Sequence, residues 1–342
     1  MLQLLLLACA PDPATVTDTP VDYAAPGPYA ATRHTWSLTD ASTARSFNVE
    51  VWAPAGAPPA TAEPIEALLV DEEAAATYAG LLAAAPESCP SLTSAAGLDT
   101  PIASAGPWPL VLMSHCHGCT RFSTASVAVH LASHGFVVVA PDHPGDTLFD
   151  SLAGALLPLD ASTLALREAD LTHALDAALD GTFALDIDPA RVGAFGHSFG
   201  AVTAAITLQD RLGTDGGPVS AMFVGAPPEN PLLPGVSMEL LDAPLMFMRL
   251  LEDHSVGEVG NLLMHANFEA APAEAWEVDV ADAGHWSPSD LVGLTADFMP
   301  GCGDDTREAT GEVFTYLDPA EGRAITASTA AGFFDRTLNH RQ

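Results

Sequence analysis

Arg191-Val192-Gly193-Ala194-Phe195-Gly196-His197-Ser198-Phe199-Gly200-Ala201-Val202-Thr203-Ala204-Ala205 is the stretch on which the reading of the fold turns. Residues 191–195 read as a strand, and Gly196 to Gly200 match G-x-S-x-G. Small residues suited to a helix follow. Strand, tight turn and helix in this order are the setting of a nucleophile elbow. The glycines have a steric reason: in so tight a turn, side chains at 196 and 200 would collide with the neighbouring strand and helix. The turn lifts the Ser198 hydroxyl to the C-terminal edge of a sheet, beside the positive end of a helix dipole.

Working outward, short continuous apolar runs recur on both sides of the elbow. They include Pro109-Leu110-Val111-Leu112-Met113, Gly135-Phe136-Val137-Val138-Val139-Ala140 and Val219-Ser220-Ala221-Met222-Phe223-Val224, with two more at 244–248 and 276–280. Such runs suit strands buried on both faces of a parallel sheet. Phe47-Asn48-Val49-Glu50-Val51-Trp52 alternates instead, as a half-buried strand does. Helical patterns lie at 123–133, 164–179, 198–212 and 324–338. In 164–179 the apolar residues fall three and four apart, which puts Arg167, Glu168 and Asp170 on the wet side. Strands alternating with helices predict a mostly parallel, doubly wound α/β sheet with helices on both faces. Residues 55–106, rich in Ala, Pro and Glu, predict an insertion with some helix over 72–85. The expected organisation is a single domain over 29–342, preceded by a segment 1–9 and a flexible tether 10–28.

A serine hydroxyl is a poor nucleophile at neutral pH. It needs a base within hydrogen-bond reach and a carboxylate to orient that base. In this architecture the chain order is Ser, then Asp or Glu, then His. His254, His265, His285 and His340 follow Ser198. His285, in Asp282-Ala283-Gly284-His285-Trp286, sits in a turn just after the last strand and is the candidate base. His265 and His340 read as structural. For the acid, Asp253 in the loop after the 244–248 strand fits best, with Glu252 as its rival and Glu229 third.

A tetrahedral intermediate needs two N–H donors. The Phe199 amide is one candidate. The other is the His117 amide in Ser114-His115-Cys116-His117-Gly118-Cys119, the loop after the 109–113 strand. Two His and two Cys so close together also raise a zinc site. A disulfide pinning the loop is the favoured alternative, because neighbours on one short loop rarely converge on one ion. Phe199 and Trp286 are candidates to line an acyl pocket.

At this point the residues carry a resemblance. Pro109 to His115 followed by His117-Gly118 looks like the S-H-G-x-G loop of bacterial dienelactone hydrolase-like and platelet-activating-factor acetylhydrolase-like proteins, which are α/β-hydrolases. Leu131-Ala132-Ser133-His134-Gly135 through Asp142-His143-Pro144-Gly145, the elbow itself, and Val51-Trp52-Ala53-Pro54 are similar to the same group. The resemblance spans roughly 29–338. It implies cleavage of carboxylic esters through an acyl-enzyme, without metal or organic cofactor. Three departures stand out. Cys116 occupies a position where the group usually has Gly. The acetylhydrolase branch places its Asp after the preceding strand, and this chain does not. Dienelactone hydrolases proper use a Cys nucleophile where this elbow has Ser198.

Composition bounds the partners. Among 342 residues, 44 are acidic and 11 basic, a formal net charge of −33, and every basic residue is Arg. Such a chain repels phosphates, which argues against nucleic acid. The ordinary reading is a soluble acidic surface; steering of a cationic substrate is the sharper one. Hydrophobic residues make up 48% of the chain, enough for a large core.

The N-terminal run Leu2-Gln3-Leu4-Leu5-Leu6-Leu7-Ala8-Cys9 resembles a lipobox, which implies export, lipidation at Cys9 and anchoring at a membrane surface. The run is short and lacks a preceding Lys or Arg, so a start upstream of Met1 is expected. Cys89, Cys116, Cys119 and Cys302 then form an even set in an exported protein, which suggests one or two disulfides. Three pairings are possible, and the sequence does not choose among them. Readings besides a small-molecule or lipid esterase are amide or thioester cleavage or acyl transfer on the same residues, and a surface lipoprotein that uses the fold for binding only.

Overall fold

The apolar runs pair into one nine-stranded sheet. The structure is a computed structural model that describes residues 21–57, 63–86, 89, 93–94, 96–299 and 301–339. Cys9, residues 10–20 of the expected tether and His340 lie outside the described residues. Strands β1 (Ala30–Asp40) and β2 (Arg45–Ala55) form an antiparallel hairpin. Six further strands run parallel to one another: β3 (Trp108–Ser114), β4 (Val137–Pro141), β5 (Ile187–His197), β6 (Ala221–Val224), β7 (Leu245–Leu250) and β8 (Ala275–Val280). Their order across the sheet is β8-β7-β6-β5-β3-β4-β2-β1, and the two-residue strand Gly97–Leu98 closes the β1 edge. β2 meets β4 antiparallel, so the parallel part ends there.

Alternate side chains of each parallel strand feed opposite layers, which is why those runs are continuously apolar. Val111 and Met113 of β3, Val138 of β4 and Phe195 of β5 enter a core shared with Leu131 of α2 (Ala125–Ser133) and Phe334 of α7 (Pro319–Phe334). Leu110, Leu112, Val137 and Val139 face the other way, onto Leu171 and Leu175 of α4 (Ala161–Leu179). Further along that face, Phe223 and Phe247 pack with Val202 and Leu208 of α5 (Phe199–Arg211). Each such side chain, fully buried, contributes roughly 1.5–3 kcal/mol relative to exposure. Helices therefore cover both faces, as expected, with the short α3 (Leu148–Leu152) between α2 and α4 in the chain. α1 (Glu72–Ala84) fills the helix anticipated over 72–85, starting where the Asp71 carboxylate accepts the Ala74 amide. The closing helix starts earlier than its apolar pattern did, because Asp318 caps it and Pro319 opens its first turn.

One expectation is corrected. Arg167 and Asp170 of α4 do not face water: they are 0% and 2% exposed. Each is compensated by a charge from elsewhere, Arg167 by Asp146 and Asp170 by Arg45 at 2.7 Å. Helical periodicity reports polarity, and it cannot see that a charge meets its partner inside the protein. Glu168, between them, is half-buried.

The cysteines pair as Cys89–Cys302 and Cys116–Cys119. The second bond consumes both thiols of the His/Cys loop. Among the described residues no three His, Cys, Asp or Glu side chains gather as a metal site, and no helix is long and apolar enough to cross a membrane.

Candidate active site

The elbow forms as its glycines required. A Cβ on Gly196 would stand 2.0 Å from the Gly200 carbonyl oxygen, and one on Gly200 would stand 2.0 Å from the Ser114 carbonyl oxygen. Ser198 itself adopts φ 57°, ψ −122°, a conformation that costs about 1–3 kcal/mol for a residue with a side chain. Its amide is tied to the Val224 carbonyl of β6 at 2.9 Å, which helps to hold the turn in place. The strain sets the hydroxyl at the mouth of α5, above the carboxyl ends of the strands.

Two loops deliver the remaining polar groups to that hydroxyl. His285 follows β8, and its Nε2 lies 2.8 Å from Ser198 Oγ. Asp253 follows β7, and its Oδ2 lies 2.6 Å from His285 Nδ1. This network assigns the proton of the neutral imidazole to Nδ1, where it is donated to the carboxylate. Nε2 is left to accept from the hydroxyl. The other oxygen of Asp253 accepts the amides of Ser255 at 2.9 Å and Val256 at 3.0 Å. The two loops are joined by backbone bonds, Leu251 N to Val280 O and Glu252 N to Ala283 O, both 3.0 Å. His285 and Asp253 are 2% and 3% exposed, so their contact is shielded from water.

The rival residues stand elsewhere. Glu252 turns away to pair with Arg307. Glu229 accepts the Met238 amide at 2.6 Å. His265 bonds Glu277 at 2.9 Å, and His254 lies 3.3 Å from Asp305.

The loop after β3 lies across the elbow. The Phe199 amide opens α5 and has no carbonyl within the helix to bond. The His117 amide donates to no protein group among the described residues. Its neighbour, the Gly118 amide, is turned the other way and donates to Asp146 Oδ1 at 2.9 Å. Gly118 sits at φ +64°, where a side chain is strained. Behind the loop, the His115 and His143 rings pack 4.7 Å apart, tilted by 46°. Burial, with Arg167 and His143 adding to it, pushes the His115 imidazole down to about 3, so it is neutral. For Asp146, burial alone would raise the carboxyl. Arg167 and the His117 bond outweigh that and hold it below the ordinary carboxylate range.

In front of Ser198 opens a cavity of about 650 Å³. Ser198, His285, His117 and Gly118 border it, and Leu156, Leu159, Leu233, Val256, Trp286 and Phe298 are among its apolar walls. Among the described residues that line it, Asp297 is the one acidic residue, and none is Lys or Arg. Phe199 and Trp286 both border the cavity, as the sequence suggested. The segment bearing Leu156, the α6 (Gly257–Glu269) residues Val259, Gly260 and Leu263, and Phe298 were not foreseen, since ordinary apolar residues carry no local mark of lining a site.

Comparison with known proteins bears on the fold. Residues 76–149 match the family model of platelet-activating factor acetylhydrolase, isoform II. No curated protein sequence matches the chain. Among solved structures, a ferulic acid esterase from Streptomyces cinnamoneus superposes with a TM-score of 0.65 at 21% identity, over 93% of each chain. A dienelactone hydrolase-like promiscuous phosphotriesterase from metagenomic libraries superposes with a TM-score of 0.54 at 16% identity, over 90% of this chain and 99% of that one. The fold is that of the α/β-hydrolases. Within that class the chain resembles the acetylhydrolase and dienelactone hydrolase-like esterases.

Proposed function

We propose that this protein is a serine esterase that cleaves small, uncharged carboxylic esters. The observation that carries the reading is the unbroken contact Ser198–His285–Asp253, at 2.8 and 2.6 Å, on the floor of an apolar cavity. His285 Nε2 takes the Ser198 proton as Oγ attacks the ester carbonyl. Asp253 holds the imidazole in the tautomer that can accept and stabilises the imidazolium that forms. The amides of Phe199 and His117 bind the oxyanion. The imidazolium then protonates the leaving alkoxide, and water hydrolyses the acyl-enzyme with His285 again as base.

The cavity supports an apolar acyl or alcohol group, since aliphatic and aromatic side chains dominate its wall. A net charge of −33, and a wall that holds no Lys or Arg among the described residues, disfavour anionic esters. Export is part of the same reading. It is supported by the lipobox-like run ending at Cys9 and by two cysteine pairs at bonding distance, which persist in oxidising compartments.

The test is hydrolysis of p-nitrophenyl acetate, butyrate and octanoate by the wild type beside Ser198→Ala. Turnover that falls to background in the variant supports the serine esterase. Equal rates in both proteins, or none in either, would overturn it.

A further inference from the structure

The two proposed oxyanion donors belong to segments far apart in the chain, the loop after β3 and the first turn of α5. Their amides help catalysis only if both stand about 2.7–3.1 Å from one developing charge. Something must therefore set the distance between loop and helix. Between them, fully buried, lies the guanidinium of Arg167. Nη2 donates to the His115 carbonyl and, at 3.1 Å, to Ser114 Oγ. Nη1 donates to Asp146, whose other oxygen accepts the Gly118 amide at 2.9 Å and lies 2.5 Å from His117 Nδ1. Nε donates to Thr203 Oγ1 at 3.0 Å, one turn into α5. The guanidinium carbon also sits 4.5 Å over the Phe199 ring.

Resting on the esterase reading, we propose that Arg167 is the positioning residue that holds both oxyanion donors in register. One rigid plane clasps the loop on two sides of His117 and the helix at Phe199 and Thr203. By binding Asp146 it keeps the Gly118 amide occupied, while the adjacent His117 amide has no acceptor among the described residues and is free to face the cavity. Only a planar fork can satisfy a carbonyl, a carboxylate and two hydroxyls in these directions. A Lys ammonium carries the charge but not the fixed geometry.

The test compares Arg167→Lys with the wild type on p-nitrophenyl butyrate, counting sites by fluorophosphonate titration. It adds inhibition by a trifluoromethyl ketone, whose adduct carries the oxyanion. The expected result is kcat per titrated site about a hundredfold lower with KM within about threefold, and ketone affinity lowered in proportion. A structural role alone would lower the melting temperature and leave kcat per titrated site and ketone affinity unchanged, which would overturn the inference. If Arg167→Lys does not fold, Asp146→Asn and Thr203→Val each remove one arm of the clasp and must show the same split. Ser198→Ala separates the two readings. If it is inactive while Arg167→Lys is unimpaired, only the role of Arg167 fails; if it keeps its activity, the esterase reading fails first.

Discussion

The imidazole of His197 donates from Nε2 to the main-chain carbonyl of His285 at 2.8 Å, so the residue before the nucleophile holds the residue that bears the proposed base. The carbonyl can only accept, which puts the His197 proton on Nε2. Burial, with His285 adding to it, pushes this imidazole down to about 3 and keeps it neutral. The His197 ring also packs 5.8 Å from Trp286, which in turn lies 4.5 Å from Phe298 at the cavity wall.

That relationship has a consequence for acid stability. The folded value of His197 lies below the ordinary 6.5, so the unfolded chain takes up this proton first as pH falls. The stability is present above about pH 6.5 and is lost progressively as pH drops toward about 3. His197→Gln keeps a side-chain donor without titrating. Urea unfolding should show a shallower loss between pH 7 and 5 in the variant, by up to about 1.4 kcal/mol per pH unit. Parallel profiles would show that His197 does not titrate on unfolding.

Asp253 and Glu252 are adjacent in sequence, but Asp253 meets His285 and Glu252 meets Arg307. Asp253→Asn should lower kcat about 10³–10⁴-fold with the fold intact, because the imidazole loses the acceptor that selects its tautomer. Glu252→Gln, which loosens only the contact to Arg307, should stay within about threefold. Steady-state kinetics that rank the two variants the other way would move the acid to Glu252.

The two disulfides should separate stability from activity. Cys89–Cys302 spans 213 positions, and Cys302→Ser should cost about 2–5 kcal/mol in urea unfolding. Cys116–Cys119 spans three, so its removal constrains the unfolded chain little. The double variant Cys116→Ser/Cys119→Ser should lower kcat more than stability, since the bond brackets His117. A variant with unchanged kcat and a large loss of stability would contradict this.

The cavity wall is open to a size test. Leu156 Cδ2 lies 3.6 Å from where a Gly118 side chain would begin, so it covers the loop after β3. Leu156→Trp fills that space. Its kcat/KM for p-nitrophenyl octanoate should fall at least about tenfold relative to acetate. An unchanged ratio would place the acyl chain elsewhere.

Much of this was legible in the chain itself. The strand runs at 109–113, 135–140 and 219–224 fall on β3, β4 and β6, because burial on two faces demands continuous apolar residues over a short length. The clashes that Gly196 and Gly200 avoid were legible for the same reason: they arise within a few residues or against the adjacent strand. Arg167 was misread because a charged residue at a helical spacing looks solvated until its partner is known, and Asp146 lies on another element. The place of α6 in the cavity wall was not foreseen, because its surface mixes polar and apolar residues without a clean stripe.

By itself, then, the sequence determined the elbow, the strand runs and the chain order of serine, acid and histidine, since sterics and hydrophobic period act over neighbouring residues. Only the tertiary structure decided which carboxylate meets His285, how four cysteines pair, that Arg167 and Asp170 go inside, and what shape of cavity opens before Ser198. Each of those is a distance between segments remote in the chain, and such distances exist only once the sheet has brought its loops to one edge.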